Sequence, residues 1–415
     1  HEEPGSVTGV LSPDGKTAFV ATNIGREMTA FGAIDLRKTP PSGVEILAAR
    51  DDAELAGFRL NRAGTEAALL WNVAGRNELA IFDTAKRTLR KSPPLPGEIA
   101  GGLSWSQDGT KLALAIGGSM RPDDIWLLDV KSGRLTRVTQ SPHDRVDLGT
   151  LIAPELVNIP AFDGKPLWSW LYRAKGASGP GPLVLSFHGG PEAQETPSFR
   201  SDYQALLTRG ISVLAPNVRG SSGFGRTFVN LDNQKKRLDV LRDVKSCLDW
   251  AVAQKIADPS RIGIMGGSYG GWVTMAALTA YPDSFAAGAD FFGIVNFLTF
   301  FENTEPWMAE ISKAEYGDPE KQVDLLRQLS PLFKLQWLKA PVLVLHGKND
   351  TNVPLVEATQ IAEGLNARKI PVELILFPDE GHGFRKLPNR IRANVALVRW
   401  FEKYLKAVSP AAESR

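Results

Sequence analysis

Three times in its first 150 residues the chain repeats one plan. "LSPDGKTAFVAT" at Leu11, "LNRAGTEAALLW" at Leu60 and "WSQDGTKLALAI" at Trp105 each set an apolar residue before a polar turn centred on Gly15, Gly64 or Gly109, then an alternating strand. Another strand follows, as in "NELAIFDTAKRTLRK" and "DDIWLLDVKSGRLTRV". The period is about 45 to 50 residues. A four-stranded unit of that length with tight turns is the pattern of a β-propeller blade, which buries its apolar face by stacking on a neighbour. Residues 1–150 thus read as about three blades, whereas a ring usually takes about four to eight. The expectation is that further blades precede His1; an open domain of three unrelated hairpin sheets is the alternative.

After a connecting stretch near residues 140–155 the texture changes. A hairpin-like "ELVNIPAFDGKPLWSWLYR" leads into the apolar runs "PLVLSFHGG", "ISVLAPNVRG", "RIGIMGG", "AAGADFFG", "APVLVLHG" and "VELILFPDEG". Amphipathic stretches such as "LDVLRDVKSCLDWAVAQK" and "LVEATQIAEGLNARK" separate them. Near-continuous apolar strands alternating with helices imply an α/β fold, with a mostly parallel, doubly wound sheet over residues 151–415. In such sheets the active site lies beyond the carboxyl ends of the strands, where these runs end in Gly, Asp or His.

Composition excludes several function classes. The formal charge of +2 comes from 48 basic and 46 acidic residues spread along the chain, with no basic block to track phosphates or an anionic membrane, so neither nucleic acid nor membrane is an expected partner. The single cysteine, Cys247, cannot form an internal disulfide and falls in an apolar helical pattern as a packing residue. No apolar run approaches the roughly 18 residues that span a bilayer. Cytoplasm and periplasm both stay open, as does assembly into a homo-oligomer.

In "RIGIMGGSYGGWVT" a strand, a Gly-rich turn and a helix follow one another, and Gly266-x-Ser268-x-Gly270 fits a nucleophile elbow. Neither dinucleotide-binding nor P-loop spacing can be read across the turn. A serine hydroxyl needs a base in hydrogen-bond reach. Of the five histidines, at positions 1, 143, 188, 346 and 382, only His382 follows both Ser268 and a plausible acid, in the order Ser, Asp, His that this fold class uses. Asp350 ends the strand "APVLVLHGKND" and is the expected acid; Asp290 lies within its strand, and Asp379 is close enough to His382 to shape its turn. His346 reads as packing or orienting that loop. The oxyanion needs two donors. One is the Tyr269 amide; the other is expected from "SFHGGPE", with Gly190 favoured over Gly189. No HExxH and no Cys/His spacing points to a metal, and no cofactor is expected.

Together, "SFHGGP", "NVRGSSGFGRTF", "GIMGGSYGGWVT", "HGKNDTNVP" and "FPDEGHGF" resemble the prolyl oligopeptidase family of serine peptidases, nearest its acylaminoacyl-peptidase and dipeptidyl-peptidase-like bacterial members. The resemblance covers essentially the whole sequence and implies a truncated propeller before an α/β-hydrolase domain. It implies the triad Ser268, Asp350 and His382, with Asn352 binding the substrate's P2 carbonyl. It also implies an apolar S1 pocket from Val353, Phe297 and Phe300; core or lid packing is the alternative for the two phenylalanines. There are departures. Many endopeptidases of the family carry an oxyanion Tyr where this chain has His188, and several relatives carry Arg where Asn352 stands. The activity implied is hydrolysis of short peptides through an acyl-enzyme, the propeller restricting access. A carboxylesterase, or a binding protein with an inert hydrolase domain, are the competing readings.

Overall fold

The computed structural model describes residues 7–40 and 43–406, so His1 lies outside the described residues. The chain divides into two compact units. The first runs to Ala153 and includes residues 196–199 and 222–229; the second takes the rest from Pro154. The sequence pattern sets this boundary at 150/151.

The first unit holds three four-stranded antiparallel meanders. They are β1 (Val7–Leu11), β2 (Thr17–Thr22), β3 (Ala30–Asp35) and β4 (Glu45–Ala48); β5 (Glu54–Leu60), β6 (Glu66–Val73), β7 (Arg76–Asp83) and β8 (Thr88–Lys91); and β9 (Ile99–Trp105), β10 (Lys111–Gly118), β11 (Arg121–Asp129) and β12 (Leu135–Arg137). Each repeated glycine turns the chain between the first two strands of its sheet in the left-handed region, with φ +69° at Gly15, +70° at Gly64 and +72° at Gly109. Their amides donate to the carbonyls of Ser12, Asn61 and Ser106. The apolar faces stack as the period requires. Phe19, Phe31, Leu69, Trp71 and Phe82 form one buried layer, and Leu70, Ile81, Leu112, Leu114 and Leu128 the next. These sheets are propeller blades.

The second unit is an α/β-hydrolase sheet of eight strands. In chain order they are β13 (Glu155–Pro160), β14 (Pro166–Tyr172), β15 (Gly181–Phe187), β16 (Ser212–Pro216), β17 (Ala257–Gly267), β18 (Ala287–Phe291), β19 (Val342–Gly347) and β20 (Val372–Phe377). The spatial order is β13-β14-β16-β15-β17-β18-β19-β20. β13 and β14 form the antiparallel hairpin and the remaining six strands run parallel to one another. Its helices are α1 (Ser201–Thr208), α3 (Leu238–Ala253), α4 (Tyr269–Ala280), α5 (Phe297–Asn303), α6 (Pro306–Tyr316), α7 (Val323–Leu329), α8 (Leu355–Ala367) and α9 (Leu387–Leu405), whereas the short α2 (Arg226–Val229) belongs to the first unit. α1 packs with α9 on one face, and α3, α4 and α8 cover the other.

Burial on both faces explains the unbroken apolar runs: every residue of β19 and of β16 is buried. Cys247 is buried in α3, where desolvation raises its thiol pKa well above the ordinary value and keeps it protonated. In "NVRG", Arg219 forms two 2.8 Å contacts with the buried carboxylate of Asp243 on α3. That motif residue ties the loop after β16 to the helix behind it.

Candidate active site

β17 ends at Gly267 and α4 begins at Tyr269, so Ser268 alone makes the turn. Its φ of +57° and ψ of −119° lie where an L-residue is strained, and such strain persists only where neighbours impose it. Here the Ser268 amide donates to the Phe291 carbonyl at 2.9 Å, pinning the elbow to the end of β18. Close approach accounts for the flanking glycines. A Cβ on Gly266 would run into the Gly270 carbonyl oxygen, and one on Gly270 into that of Phe187.

The partners arrive from two further strand ends. His382 lies five residues past β20 and Asp350 three past β19. His382 Nε2 is 3.0 Å from Ser268 Oγ, and its Nδ1 is 2.8 Å from Asp350 Oδ2. Asp350 Oδ1 accepts the Asn352 and Val353 amides at 2.9 Å each, so both carboxylate oxygens have partners. A carboxylate held this way fixes the imidazole tautomer that leaves Nε2 facing the serine. His346 is fully buried, and its Nε2 is 2.9 Å from the Val353 carbonyl, bracing the loop that carries Asp350. Desolvation lowers its pKa, so it stays neutral there. Asp379 instead pairs with Lys386 at 2.6 Å, and Asp290 is buried within β18.

On the oxyanion side, Tyr269 opens α4 and its amide has no partner within the helix. Gly190 adopts φ +131°, and a Cβ there would lie 2.8 Å from the Glu192 amide. The preceding His188 is held through both ring nitrogens, 2.7 Å from the Gly189 carbonyl and 2.8 Å from Ser221 Oγ. The His188 side chain is therefore occupied in fixing its own loop.

A cavity of about 400 Å³ opens beside the serine. Ser268, His382, Gly190, Asn352, Val353 and Phe300 line it, together with Ile294, Met308, Ile311, Glu192, Glu315 and Tyr316. Phe297 does not reach it. Fully buried, that ring packs 4.5 Å from the Tyr316 ring and 6.2 Å from Phe300, behind the wall. A larger cavity of about 880 Å³ lies in the first unit, with neither histidine nor cysteine in its lining.

Sequence reasoning did not reach three features. Phe292, at φ +42°, sets its ring 4.8 Å from that of His382. Glu192 follows the HGGP loop directly, and its sequence position was the available signal. The third is an ion cluster beneath the cavity. Arg237, fully buried, meets Asp232 at 2.7 Å and Glu315 at 2.6 Å, with its guanidinium 5.0 Å from the Tyr269 ring centre. Tyr269 Oη donates to Asp232 at 3.1 Å. The residue that offers its amide to the site is thereby anchored through its side chain. Burial raises the pKa of Asp232 and pushes Glu315 up to about 7, in each case against the pull of Arg237. Glu315 is too far in sequence from Asp232 and Arg237 for local patterning to group the three.

Comparison with known proteins gives the family. The profile of the Prolyl oligopeptidase family matches residues 197–408. Dipeptidyl aminopeptidase BIII of Pseudoxanthomonas mexicana is 33% identical over 397 residues, 92% of this chain and 57% of the relative. Acylamino-acid-releasing enzyme of Arabidopsis thaliana is 30% identical over 232 residues, 54% of this chain and 30% of the relative. The solved puromycin-hydrolyzing peptidase of Mycobacterium tuberculosis superposes with a TM-score of 0.89 over 98% of this chain and 63% of its own; at 24% identity that likeness speaks to the fold. The chain thus spans under two thirds of each of these proteins. Family profile, relatives and fold converge: the chain belongs to the prolyl oligopeptidase family.

Proposed function

We propose that this chain hydrolyses short peptides through an acyl-enzyme on Ser268. The observation that carries the reading is the continuous relay from Ser268 Oγ to His382 Nε2 at 3.0 Å and from His382 Nδ1 to Asp350 Oδ2 at 2.8 Å. Ser268 attacks the scissile carbonyl while His382 takes its proton, and Asp350 stabilises the imidazolium without taking the proton itself. The Tyr269 and Gly190 amides receive the oxyanion, the first with the added field of the α4 N-terminus. His382 then protonates the departing amine and activates the water that releases the acyl group. Asn352 binds the P2 carbonyl, and Val353 and Phe300 wall the S1 pocket with Phe297 packed behind.

Membership of a peptidase family supports amide bonds over simple esters as the substrate. The test is direct. A fluorophosphonate probe should label the wild-type chain and leave Ser268→Ala unlabelled, and the wild type should cleave a panel of peptide anilides. Labelling that persists in Ser268→Ala would sink the assignment.

A further inference from the structure

The cavity beside Ser268 is apolar on most of its wall, through Ile294, Phe300, Met308, Ile311 and Val353, yet it carries two carboxylates and no lysine or arginine. Glu315 is the more enclosed of the two, its side chain 15% exposed. Its Oε2 takes the Arg237 guanidinium, whereas Oε1 accepts no hydrogen bond among the described residues and is not sealed from solvent. Arg237 also serves the fully buried Asp232. One guanidinium therefore faces two carboxylates, and above about pH 7 the excess negative charge is borne where Glu315 meets the cavity.

We propose that this cavity is an S1 subsite for a cationic P1 side chain, lysine or arginine, and that Glu315 is the specificity-determining residue that meets its charge. The proposal rests on the peptidase reading above. Lysine and arginine carry an apolar stem and a charged tip, and such side chains lay the stem on apolar surface while the tip finds a partner. The wall supplies surface for the stem and Glu315 supplies the partner. An α-amine offers the same charge without a stem to cover that wall. A cation here completes a cluster short of one positive charge, whereas a neutral side chain leaves Glu315 desolvated and underpaired.

The experiment compares kcat/KM for N-acylated dipeptidyl anilides with lysine, arginine or norleucine at P1, in the wild-type chain and in Glu315→Gln. Norleucine keeps the stem and lacks the charge. At pH 8 lysine or arginine should exceed norleucine at least tenfold, and in Glu315→Gln that ratio should fall to within threefold. The wild-type ratio should also shrink as pH falls through about 7, where Glu315 takes up a proton. Arg237, Asp232, Glu192 and Tyr316 are the charged or titratable groups that act on Glu315, and His382 titration cancels because both substrates use it. Norleucine equal to or better than lysine in the wild type overturns the proposal, as does an equal fall for both substrates in Glu315→Gln. If that variant does not fold, the wild-type ratio and its pH trend still decide. A preference for uncapped over capped substrates, whatever the P1 side chain, assigns the carboxylate to an α-amine and overturns the P1 assignment. Probe-labelled Ser268 with norleucine preferred refutes only this proposal; absence of both labelling and turnover refutes the peptidase reading itself.

Discussion

The two units connect their strands in opposite ways. In the first, one turn is used three times: Ser12, Asn61 and Ser106 each accept the amide of a left-handed glycine three residues on. In the second, the loops at the carboxyl ends of the strands are all different. The loop after β15 brings Gly190, the one after β17 is Ser268, and those after β19 and β20 bring Asp350 and His382. A repeated turn secures stability, so losing one copy costs its local strain. A loop used once sets one group at the candidate site, and no other loop carries that group.

The sharpest way to break this contrast is at the elbow. Ser268→Ala should lower kcat by roughly a millionfold, since triad members act as a unit, while thermal stability changes by less than about 1 kcal/mol. A variant retaining a few per cent of activity would show that the loop is not the single-use device described. Asp350→Asn should follow with a loss of about ten-thousandfold, because an amide nitrogen facing His382 favours the wrong imidazole tautomer. A pre-steady-state assay would place that loss in acylation; an effect confined to KM would contradict the orienting role.

A smaller effect distinguishes chemistry from burial within the second unit. Asp290 is fully buried in β18, with one carboxylate oxygen lacking a partner, and burial pushes its pKa up to about 7. Its folded value exceeds the unfolded one, so its contribution to stability is greatest below about pH 4 and is lost as pH rises through about 7. The loss is at most a few kcal/mol for a shift of this size. Asp290→Asn removes the titration. The melting temperature of this variant minus that of the wild type should therefore climb between pH 5 and pH 8; a flat difference would show that Asp290 ionises freely in the folded chain.

What could be read from sequence follows the same division. The blades were legible because a period of about 45 to 50 residues states the same turn three times. Ser268, Asp350 and His382 were legible because each sits at the end of an apolar run in the required order, and the structure brings those three side chains together. Phe297 and Phe300 could not be separated by pattern. They are one turn apart on α5 and both are buried, and only the packing of α5 against Tyr316 decides which lines the cavity. Glu315 was invisible for a related reason: its role depends on where α6 places it relative to Arg237 and Asp232, which no local spacing encodes.

The smallest predicted effects test whether the three repeated turns are equivalent. Replacing any of their glycines by alanine imposes a left-handed conformation costing about 1 to 2 kcal/mol. The surroundings differ, however. A Cβ on Gly15 meets nothing within 4 Å, one on Gly109 would lie 3.2 Å from the Asn61 amide nitrogen, and one on Gly64 only 2.6 Å from Pro13 Cδ. The proline ring is held in its own turn and cannot swing aside as a flexible side chain would. Gly64→Ala should thus cost about 1 kcal/mol more than Gly15→Ala, with Gly109→Ala between them. Denaturant midpoints of the three variants measure this order directly. Equal losses would mean that the backbone conformation alone sets the cost. The graded order would mean that stacking has already made the copies unequal, in the one region where the sequence repeats itself.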